Sequence, residues 1–315
     1  MIEFLIVGHG LAGAVLAHQL LNRDQKVTVM DGNLAHSASG VSVGLVNPLI
    51  GPKLNPPEKI QECLDVNESF YHNCEQSWGK LFYKPIALHR IFKSKKQQSI
   101  WSIKRRDTIA GLYTGKFTSS VDWKTKGLHA PHGSGLTKNA YQLDVTTFLE
   151  KSREKLQSID AWESGSFSGE EGSKKMGVIF CEGFRVIENP LFNHLPFAPA
   201  KGEVLRIKSK LEDSLSNGGW HLPCNEEEAF IGSTWDHQEL MCGPTEIGKS
   251  EIFQSCNYYD LSRQPLLEHL SGVRSGTKDR NPIMGLHPKL QNTYLFNGFG
   301  ARGTSTIPYY SCKMA

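Results

Sequence analysis

At 315 residues the chain is long enough for two domains, or for one large domain with an inserted lobe. Its composition, 39% hydrophobic and 21% charged, is that of an ordinary globular protein, and it contains no apolar run of the length that a transmembrane helix needs. The net charge of +3 is uninformative over the whole chain, but the basic residues are unevenly distributed.

The N-terminal stretch predicts a strand, a turn, a helix and a second strand. Ile2–Val7 is a short apolar run typical of a buried parallel strand, and Leu11–Leu21 consists of strong helix formers. The β-branched run Lys26–Met30 predicts the second strand. A signal peptide is disfavoured because Glu3 lies where such peptides carry positive charge.

The turn between the first strand and the helix has the spacing of a dinucleotide site. Gly8, Gly10 and Gly13 form G-x-G-x-x-G, which permits a tight turn, a close approach of a pyrophosphate and close packing of helix on strand. Asp31 follows the second strand, where a carboxylate binds ribose hydroxyls and would repel a 2′-phosphate. A glycine-rich turn without a ligand is the alternative, and the four matching elements argue against it. This fingerprint alone does not separate FAD from NAD.

The next block, residues 36–48, is HSASGVSVGLVNP. Its small, hydroxyl-bearing and glycine residues allow the backbone to pass close to a ligand and to donate hydrogen bonds. A flexible linker is the alternative, but the interleaved Val and Leu residues are too apolar for a solvated one.

Two further blocks lie near the C-terminus: GVRSGTKDRNPIMGLHP at 272–288 and YLFNGFGARGTSTIP at 294–308. With the N-terminal fingerprint and the 36–48 block, they make the sequence resemble the D-amino-acid oxidase and glycine oxidase superfamily of FAD-dependent oxidoreductases. A middle strand, Gly177–Gly183, also has a counterpart there. In this chain Cys181-Glu182 replaces the small pair that is usual in the family, which leaves the flavin contacts of this strand open.

The resemblance implies the fold class α/β (α+β overall), with a Rossmann-like FAD-binding domain and an inserted, mainly antiparallel-sheet substrate domain. The discontinuous FAD-binding domain is expected at 1–80, 135–196 and 265–315. The substrate-binding domain is expected at 81–134 and 197–264, with strands at Lys201–Ile207 and Glu228–Ser233. A helix with one buried face is predicted between Asp144 and Leu156.

The resemblance also implies the site residues. The expected FAD-binding residues are Gly8, Gly10, Leu11, Ala12, Gly13, Asp31, Gly32, Ser37, Ser39, Gly40, Gly44, Leu45, Gly183, Gly298, Gly300, Ala301, Arg302, Gly303 and Thr304. Arg274 matches the family arginine that binds a substrate carboxylate, a task suited to its planar fork; pairing with Asp279 in a structural turn is the alternative. Arg302 is expected at the flavin or the substrate, although the glycine oxidase pattern has its arginine where Ala301 stands. No metal is expected.

Oxidation of a C–N bond in a small amino acid or N-substituted glycine is the function that the resemblance implies. A second possibility follows from a similar C-terminal pattern in the oxidoreductase half of the bifunctional enzyme that modifies the tRNA wobble uridine. From Lys80 to Lys126 there are twelve Lys/Arg residues against two acids, which would suit phosphate contacts, although a solvated surface is the commoner explanation. An FAD-binding protein without turnover is the third.

Other features bear on location and on the C-terminus. The seven cysteines form an odd set without a C-x-x-C pair, which argues against a zinc knuckle or a disulfide framework and predicts the cytoplasm.

Family members continue for about another helix beyond the position of Pro308, so a shortened final helix and a truncated sequence are both left open. His221, Trp235 and His237 are weaker candidates for the substrate lobe.

Overall fold

The computed structural model describes residues 3–169, 176–261 and 264–315. The strands are β1 (Glu3–Val7), β2 (Lys26–Asp31), β3 (Leu45–Val46), β4 (Tyr83–Ile91), β5 (Thr114–Thr118), β6 (Ser134–Leu143), β7 (Trp162–Ser164), β8 (Met176–Phe180), β9 (Ala200–Lys208), β10 (Ser214–Asn217), β11 (Gly219–Pro223), β12 (Glu228–Gly232), β13 (Leu266–Arg274), β14 (Ile283–Leu286) and β15 (Thr293–Asn297). The helices are α1 (Leu11–Leu21), α2 (Ile60–Trp78), α3 (Lys95–Lys104), α4 (Ser120–Thr125), α5 (Val145–Gln157), α6 (Glu246–Ser255) and α7 (Gly303–Met314).

A six-stranded sheet has the order β14-β15-β8-β1-β2-β7. All neighbouring strands are parallel except β14, which runs antiparallel to β15. Ile6, Val29 and Ile179 are fully buried against helices on one face, as expected of parallel strands that are covered on both sides. This sheet is the Rossmann-like part of the predicted fold.

A second, nine-stranded sheet has the order β13-β9-β12-β11-β10-β4-β6-β3, with β5 paired to β6. Its strand pairs are antiparallel except β10 with β4. One face buries Leu205, Leu215 and Ile231 together with Ile252 of α6. The predicted mixed α/β class with a mainly antiparallel second sheet is confirmed.

Local predictions agree closely with the structure. The predicted helix Leu11–Leu21 is α1, and Asp144 accepts a hydrogen bond from the Thr147 N–H as the N-cap of α5. The predicted strand Gly177–Gly183 is shorter than expected, because β8 ends at Phe180 and a 3-10 helix begins at Gly183. Ile2 of the first predicted strand lies outside the described residues.

The predicted domain boundaries do not coincide with the two sheets. Strands β6 and β13 fall within ranges expected for the FAD-binding domain, yet both pair within the nine-stranded sheet. Residues 1–2, 170–175 and 262–263 of the predicted domains lie outside the described part of the chain. The division into two domains therefore stays a prediction.

Helix α7 contains a proline, Pro308, whose missing N–H leaves a carbonyl of the first turn without its helical partner. The Nδ2 of Asn67 on α2 donates to the carbonyls of Thr304 and Ser305, at 3.2 Å each. Asn67 is fully buried, so this side chain ties the start of α7 to α2.

Candidate active site

A cavity of about 860 Å³ lies between the two sheets. One side is formed by the turns that follow β1, β2 and β15, and by residues 37–45. The other side is formed by one face of the nine-stranded sheet, which we call the substrate face and define by Gly202, Trp220 and Gly272. The carboxyl ends of parallel strands therefore open on this cavity, the usual place for a ligand in such a sheet.

The turn after β1 requires glycine at two positions. Gly8 has φ +102°, and a Cβ there would lie 2.7 Å from the carbonyl oxygen of Cys181. A Cβ at Gly13 would lie 1.9 Å from the carbonyl oxygen of Gly8. The absence of both side chains lets α1 pack directly on the turn, which leaves its N-terminus at the cavity.

The N-terminus of α1 and the end of β2 meet at the cavity. Gly10 is the N-cap of α1 and offers no capping side chain, and the N–H of Leu11 donates to Ser39 Oγ at 2.9 Å. The Asp31 carboxylate accepts hydrogen bonds from the N–H groups of His9 and Asn33. Helix N–H groups beside a ribose-binding carboxylate form a suitable cradle for an anionic dinucleotide.

The 37–45 segment is held against the second sheet. Gly44 has φ +67°, and a Cβ there would lie 1.8 Å from the carbonyl oxygen of Leu143. At the other end, Ser37 forms an isolated parallel bridge with Val273. Both anchors keep the segment along the cavity wall, where its small residues leave room for a ligand.

The unusual pair Cys181-Glu182 lines the cavity where β8 ends. Burial raises the pKa of the Cys181 thiol, so the group stays protonated. Burial also raises the pKa of Glu182, whose Oε2 accepts a hydrogen bond from Asn189 at 2.8 Å. Nearby, the Gly183 carbonyl accepts a hydrogen bond from Asn297 Nδ2, which links the ends of β8 and β15.

The turn after β15 leads into α7, whose first residues face the cavity. Gly300, Ala301, Arg302, Gly303 and Thr304 line it. Arg302 is the N-cap of α7, and its Nη2 donates to the carbonyl of Arg280. The guanidinium of Arg302 is therefore directed towards the loop that contains Arg280, and Arg302 also lines the cavity.

Arg274 lies on the substrate face at the end of β13, and the residues around it fix its orientation. Its Nη2 donates to Ser233 Oγ at 2.9 Å and its Nη1 donates to the Thr234 carbonyl at 3.2 Å. The guanidinium lies 4.9 Å from the ring centroid of Trp235, a cation–π contact. Gly202 makes room for it, since a Cβ there would lie 2.0 Å from Nη2.

Arg274 carries a charge that no described carboxylate neutralises. In the ranges 3–169, 176–261 and 264–315, no carboxylate forms an ion pair with it, and Asp279 instead accepts hydrogen bonds from Asn281. Burial lowers the pKa of Arg274 to about 10, which still leaves it protonated at neutral pH. A partly buried, oriented and unpaired guanidinium is a suitable partner for a carboxylate of a ligand.

Behind the glycine turn lies a buried polar chain that the sequence did not reveal. His9 Nε2 and His18 Nε2 each lie 2.9 Å from Ser152 Oγ, which joins α1 to α5. His9 also contacts the edge of Trp162, and His18 contacts Trp78. The only signal in the sequence was a histidine between the first two glycines.

We expect these two histidines to make the protein less stable in mild acid. Burial lowers the pKa of both His9 and His18 to about 3, so both are neutral in the folded state. Between the unfolded value near 6.5 and pH 3 the unfolded chain binds more protons, and stability falls by up to about 2.7 kcal/mol per pH unit for the pair. Urea unfolding of FAD-saturated protein at pH 7 and pH 5.5 measures this.

The matched variant for this prediction is His9→Gln with His18→Gln, which removes both titrating groups and keeps polar side chains. The loss of stability between pH 7 and pH 5.5 should shrink, while the slope of unfolding free energy against urea stays constant. An unchanged pH dependence in the double variant would contradict the assignment to His9 and His18.

The structure brings nearly all the predicted site residues together. Every predicted residue lines the cavity except Gly13, which packs behind the turn, and Gly298, whose Cβ would lie 2.8 Å from a methyl group of Thr277. Among the weaker candidates, His221 is fully buried and lies 3.0 Å from Ser209 Oγ, away from the cavity. Trp235 contacts Arg274 and donates a hydrogen bond to His237, but neither Trp235 nor His237 lines the cavity.

The cavity has the features that an FAD site needs. The lack of a Cβ at Gly8 and Gly13 permits the tight turn that a pyrophosphate needs, the Asp31 carboxylate lines the cavity where it could meet a ribose, and the first residues of α1 and α7 line the cavity. These features define a dinucleotide-binding protein with a separate guanidinium, that of Arg274, on the opposite wall of the cavity. The family model DAO, FAD dependent oxidoreductase, matches residues 3–314, so the chain belongs to this family of flavoenzymes. Its cofactor is FAD.

Two of the solved structures with the same fold are oxidases. Iminodiacetate oxidase from Chelativorans sp. BNC1 superposes with a TM-score of 0.80 and 15% identity, covering 99% of this chain and 95% of that one. Glycine oxidase from Bacillus cereus ATCC 14579 has a TM-score of 0.80 and 15% identity, covering 100% of this chain and 94% of that one. At this identity the likeness establishes the fold.

The sequence also resembles curated proteins that are named differently from the solved oxidases. The tRNA 5-methylaminomethyl-2-thiouridine biosynthesis bifunctional protein MnmC of Idiomarina loihiensis is 24% identical over 331 residues, covering 97% of this chain and 54% of that protein. MnmC of Legionella pneumophila subsp. pneumophila (strain Philadelphia 1) is 22% identical, covering 96% of this chain and 52% of that protein. The chain spans about half the length of the curated relatives it matches.

Metal sites and membrane spans are both absent from the described residues. Within those ranges, no cluster of three or more His, Cys, Asp or Glu residues has the arrangement to hold a metal ion. No helix in the same part of the chain is both long and apolar enough to cross a membrane.

Proposed function

We propose that this flavoenzyme oxidises the C–N bond of an amine that carries a carboxylate, such as a small amino acid or an N-substituted glycine. The observation that carries the proposal is the unpaired, oriented guanidinium of Arg274 on the substrate face of the FAD cavity. The names of the solved oxidases with this fold agree with it.

The side chains would bind and orient the substrate. Arg274 would hold the carboxylate through two parallel hydrogen bonds, and Ser233 and Trp235 would keep the guanidinium in place. FAD, when bound, supplies the acceptor for the hydride that leaves the carbon next to nitrogen. The amine must arrive neutral, so it loses its proton to water before the oxidation, and water then hydrolyses the resulting imine. No protein base is required.

The test is an anaerobic titration of the FAD-loaded protein with a panel of amino acids and N-methylglycines. We expect one of these amines to bleach the visible flavin absorption, because reduction removes that band. The same carbon skeleton without its carboxylate should bleach it far more slowly. Bound flavin that no amine of the panel reduces would reject a small amine as the substrate.

A second candidate substrate is a carboxymethylaminomethyl group carried by the wobble uridine of a tRNA. It is supported by the MnmC relatives and by the excess of basic residues between Lys80 and Lys126. Several of these residues are exposed on or next to α3, among them Lys95, Lys96, Arg105 and Arg106. The group contains an N-substituted glycine, so the same role of Arg274 would apply.

Binding to tRNA at several salt concentrations separates the two candidates. If RNA is the substrate, the association constant should fall steeply as salt rises, because phosphate contacts release counterions. Binding that is absent at low salt would leave the small amine as the substrate.

We also propose the cytoplasm as the location, since all seven cysteines are free thiols.

A further inference from the structure

A tryptophan on the substrate face extends across the sheet towards Arg274. Trp220 of β11 pairs with Gly232 of β12, and Gly232 pairs with Val204 of β9, so the three residues form one row. Directly paired residues in a sheet direct their side chains to the same face. A Cβ at Gly232 would lie 2.9 Å from Cζ2 and 3.0 Å from Cη2 of the Trp220 ring. The far end of the indole therefore lies over β12, on the side of Trp220 that faces β9 and β13.

The side chain of Arg274 extends towards the tryptophan from the other direction. Arg274 belongs to β13, which pairs with β9, and its guanidinium covers Gly202 of β9, where a Cβ would lie 2.0 Å from Nη2. Gly202 and Val204 are two residues apart on β9, so they share a face of the sheet. The guanidinium and the indole thus cover two glycines on adjacent strands, and Val204 lines the cavity next to both.

Sheet geometry gives the size of the gap between these two groups. Gly202 and Gly232 are one strand spacing and two residues apart, which places them about 8 Å from each other. A hydrogen bond from the guanidinium to a carboxylate takes up about 2.8 Å of this distance, and a carbon in contact with the ring takes up about 3.7 Å. What remains is little more than the bond from the carboxylate to the next carbon, about 1.5 Å. That carbon should therefore lie against the indole.

Trp220 has packed neighbours on the side away from Arg274. Its side chain packs against the buried cluster of Leu88, Ala140 and Leu222. Val43 and Leu45, which line the cavity, pack against the same cluster. Because a close-packed interior leaves a large ring little room to move, the indole acts as a fixed wall.

A fixed wall at this carbon restricts the groups that the carbon can carry. Besides the carboxylate, the carbon that is oxidised carries the hydrogen that leaves, the nitrogen and one further substituent. Since the hydrogen must face the hydride acceptor, the nitrogen and the further substituent take the two remaining directions. In a glycine derivative that substituent is a hydrogen atom, which fits against the ring. In an amino acid with a side chain, either the side chain or the nitrogen meets the indole, and such crowding is unfavourable.

We propose that Trp220 is a specificity-determining residue that excludes amines with a side chain on the carbon next to the carboxylate. The group on nitrogen branches one atom further from the carboxylate, so it can extend along the cavity. The substrate part of this inference rests on the proposed oxidation of carboxylate-bearing amines, whereas the exclusion itself is measurable by binding alone.

The first experiment measures binding without turnover. Methoxyacetate has the shape of N-methylglycine but no amine to oxidise, and 2-methoxypropanoate adds one methyl group to the carbon next to the carboxylate. Each is titrated by calorimetry into the FAD-loaded full-length protein and into Trp220→Ala. We expect the unsubstituted protein to bind methoxyacetate at least about tenfold more tightly than either enantiomer of 2-methoxypropanoate. In Trp220→Ala the ratio should fall to about threefold or less for one enantiomer, while retained binding of methoxyacetate shows that the fold is intact.

Two further variants serve as controls. Trp220→Phe keeps a ring but is shorter, so its ratio of affinities should be intermediate. Trp235→Ala removes an indole that contacts the guanidinium from outside the cavity, so it should weaken both ligands by the same factor and leave the ratio unchanged. Equal affinities in the unsubstituted protein, or a ratio that persists in Trp220→Ala, would overturn the role of Trp220. If neither carboxylate binds, the carboxylate site at Arg274 is overturned as well.

Steady-state kinetics then connects the exclusion with the reaction. The unsubstituted protein should oxidise N-methylglycine with a kcat/KM at least about 100-fold above that for either enantiomer of N-methylalanine. Trp220→Ala should raise kcat/KM for one of these enantiomers at least about tenfold. Discrimination in binding without oxidation of any amine would reject the proposed function but support the role of Trp220. Equal oxidation of both amines by the unsubstituted protein would support the proposed function and reject the role of Trp220.

Discussion

Replacing Arg274 with methionine should lower kcat/KM for the carboxylate-bearing amine by about 30-fold to several thousand-fold. Removing one partner of a buried, hydrogen-bonded charge pair costs about 2–5 kcal/mol, and each 1.4 kcal/mol is tenfold. The loss should be large here because Ser233 and Thr234 hold this guanidinium in one orientation on the cavity wall. Steady-state kinetics with the amine that bleaches the flavin measures it.

Two comparisons separate a lost substrate contact from a damaged fold. Arg274→Lys keeps the charge but not the planar fork, so it should recover only part of the activity. An amine without a carboxylate should be oxidised at the same low rate by the protein and by Arg274→Met. If both substrates lose activity equally, Arg274 acts on the fold rather than on the carboxylate.

Gly13→Ala should yield a protein that no longer retains FAD. The new Cβ would lie 1.9 Å from the Gly8 carbonyl oxygen, and because that atom belongs to the backbone, the turn or α1 must move. Such crowding costs about 1–3 kcal/mol in itself. Displacement of the phosphate turn should also raise the dissociation constant of FAD by at least about tenfold. Fluorescence titration of the flavin-free protein measures the affinity.

Gly243→Ala is the matched control for this variant. A Cβ at Gly243 meets no atom within 4 Å, so FAD binding and thermal stability should be retained. In Gly13→Ala, thermal stability should also respond weakly to added FAD, because a weaker ligand stabilises the folded state less. Normal FAD affinity in Gly13→Ala would show that the turn tolerates a side chain and that its glycine is not required for the cofactor.

Local sequence patterns were sufficient for the cofactor half of the fold. The boundaries of α1 were predicted correctly because most of its residues are good helix formers and two glycines precede it. The glycines at 8, 13 and 44 could be identified because their backbone geometry excludes other residues. The G-x-G-x-x-G spacing is local, so a single sequence carries it, whereas the backbone atoms that exclude a Cβ at Gly8 and Gly44 belong to Cys181 and Leu143, far along the chain.

The arrangement around Arg274 could not be predicted, because contacts across the sheet create it. Ser233 and Thr234 follow β12, whereas Gly202 belongs to β9, and only strand pairing brings them to the end of β13. The same reason explains why the His9–Ser152–His18 chain went unnoticed, since Ser152 lies more than 130 residues from either histidine. A sequence does not state which strands are neighbours.

The contact between Gly202 and Arg274 also has an evolutionary consequence. Any side chain at position 202 would occupy the volume of the Arg274 guanidinium. Positions 202 and 274, which are 72 residues apart, should therefore vary together in evolution. Homologues that use an arginine here should therefore keep glycine at the matching position of the neighbouring strand. A lineage that adopts a different substrate should lose both together, and that paired loss would mark the change in specificity in an alignment.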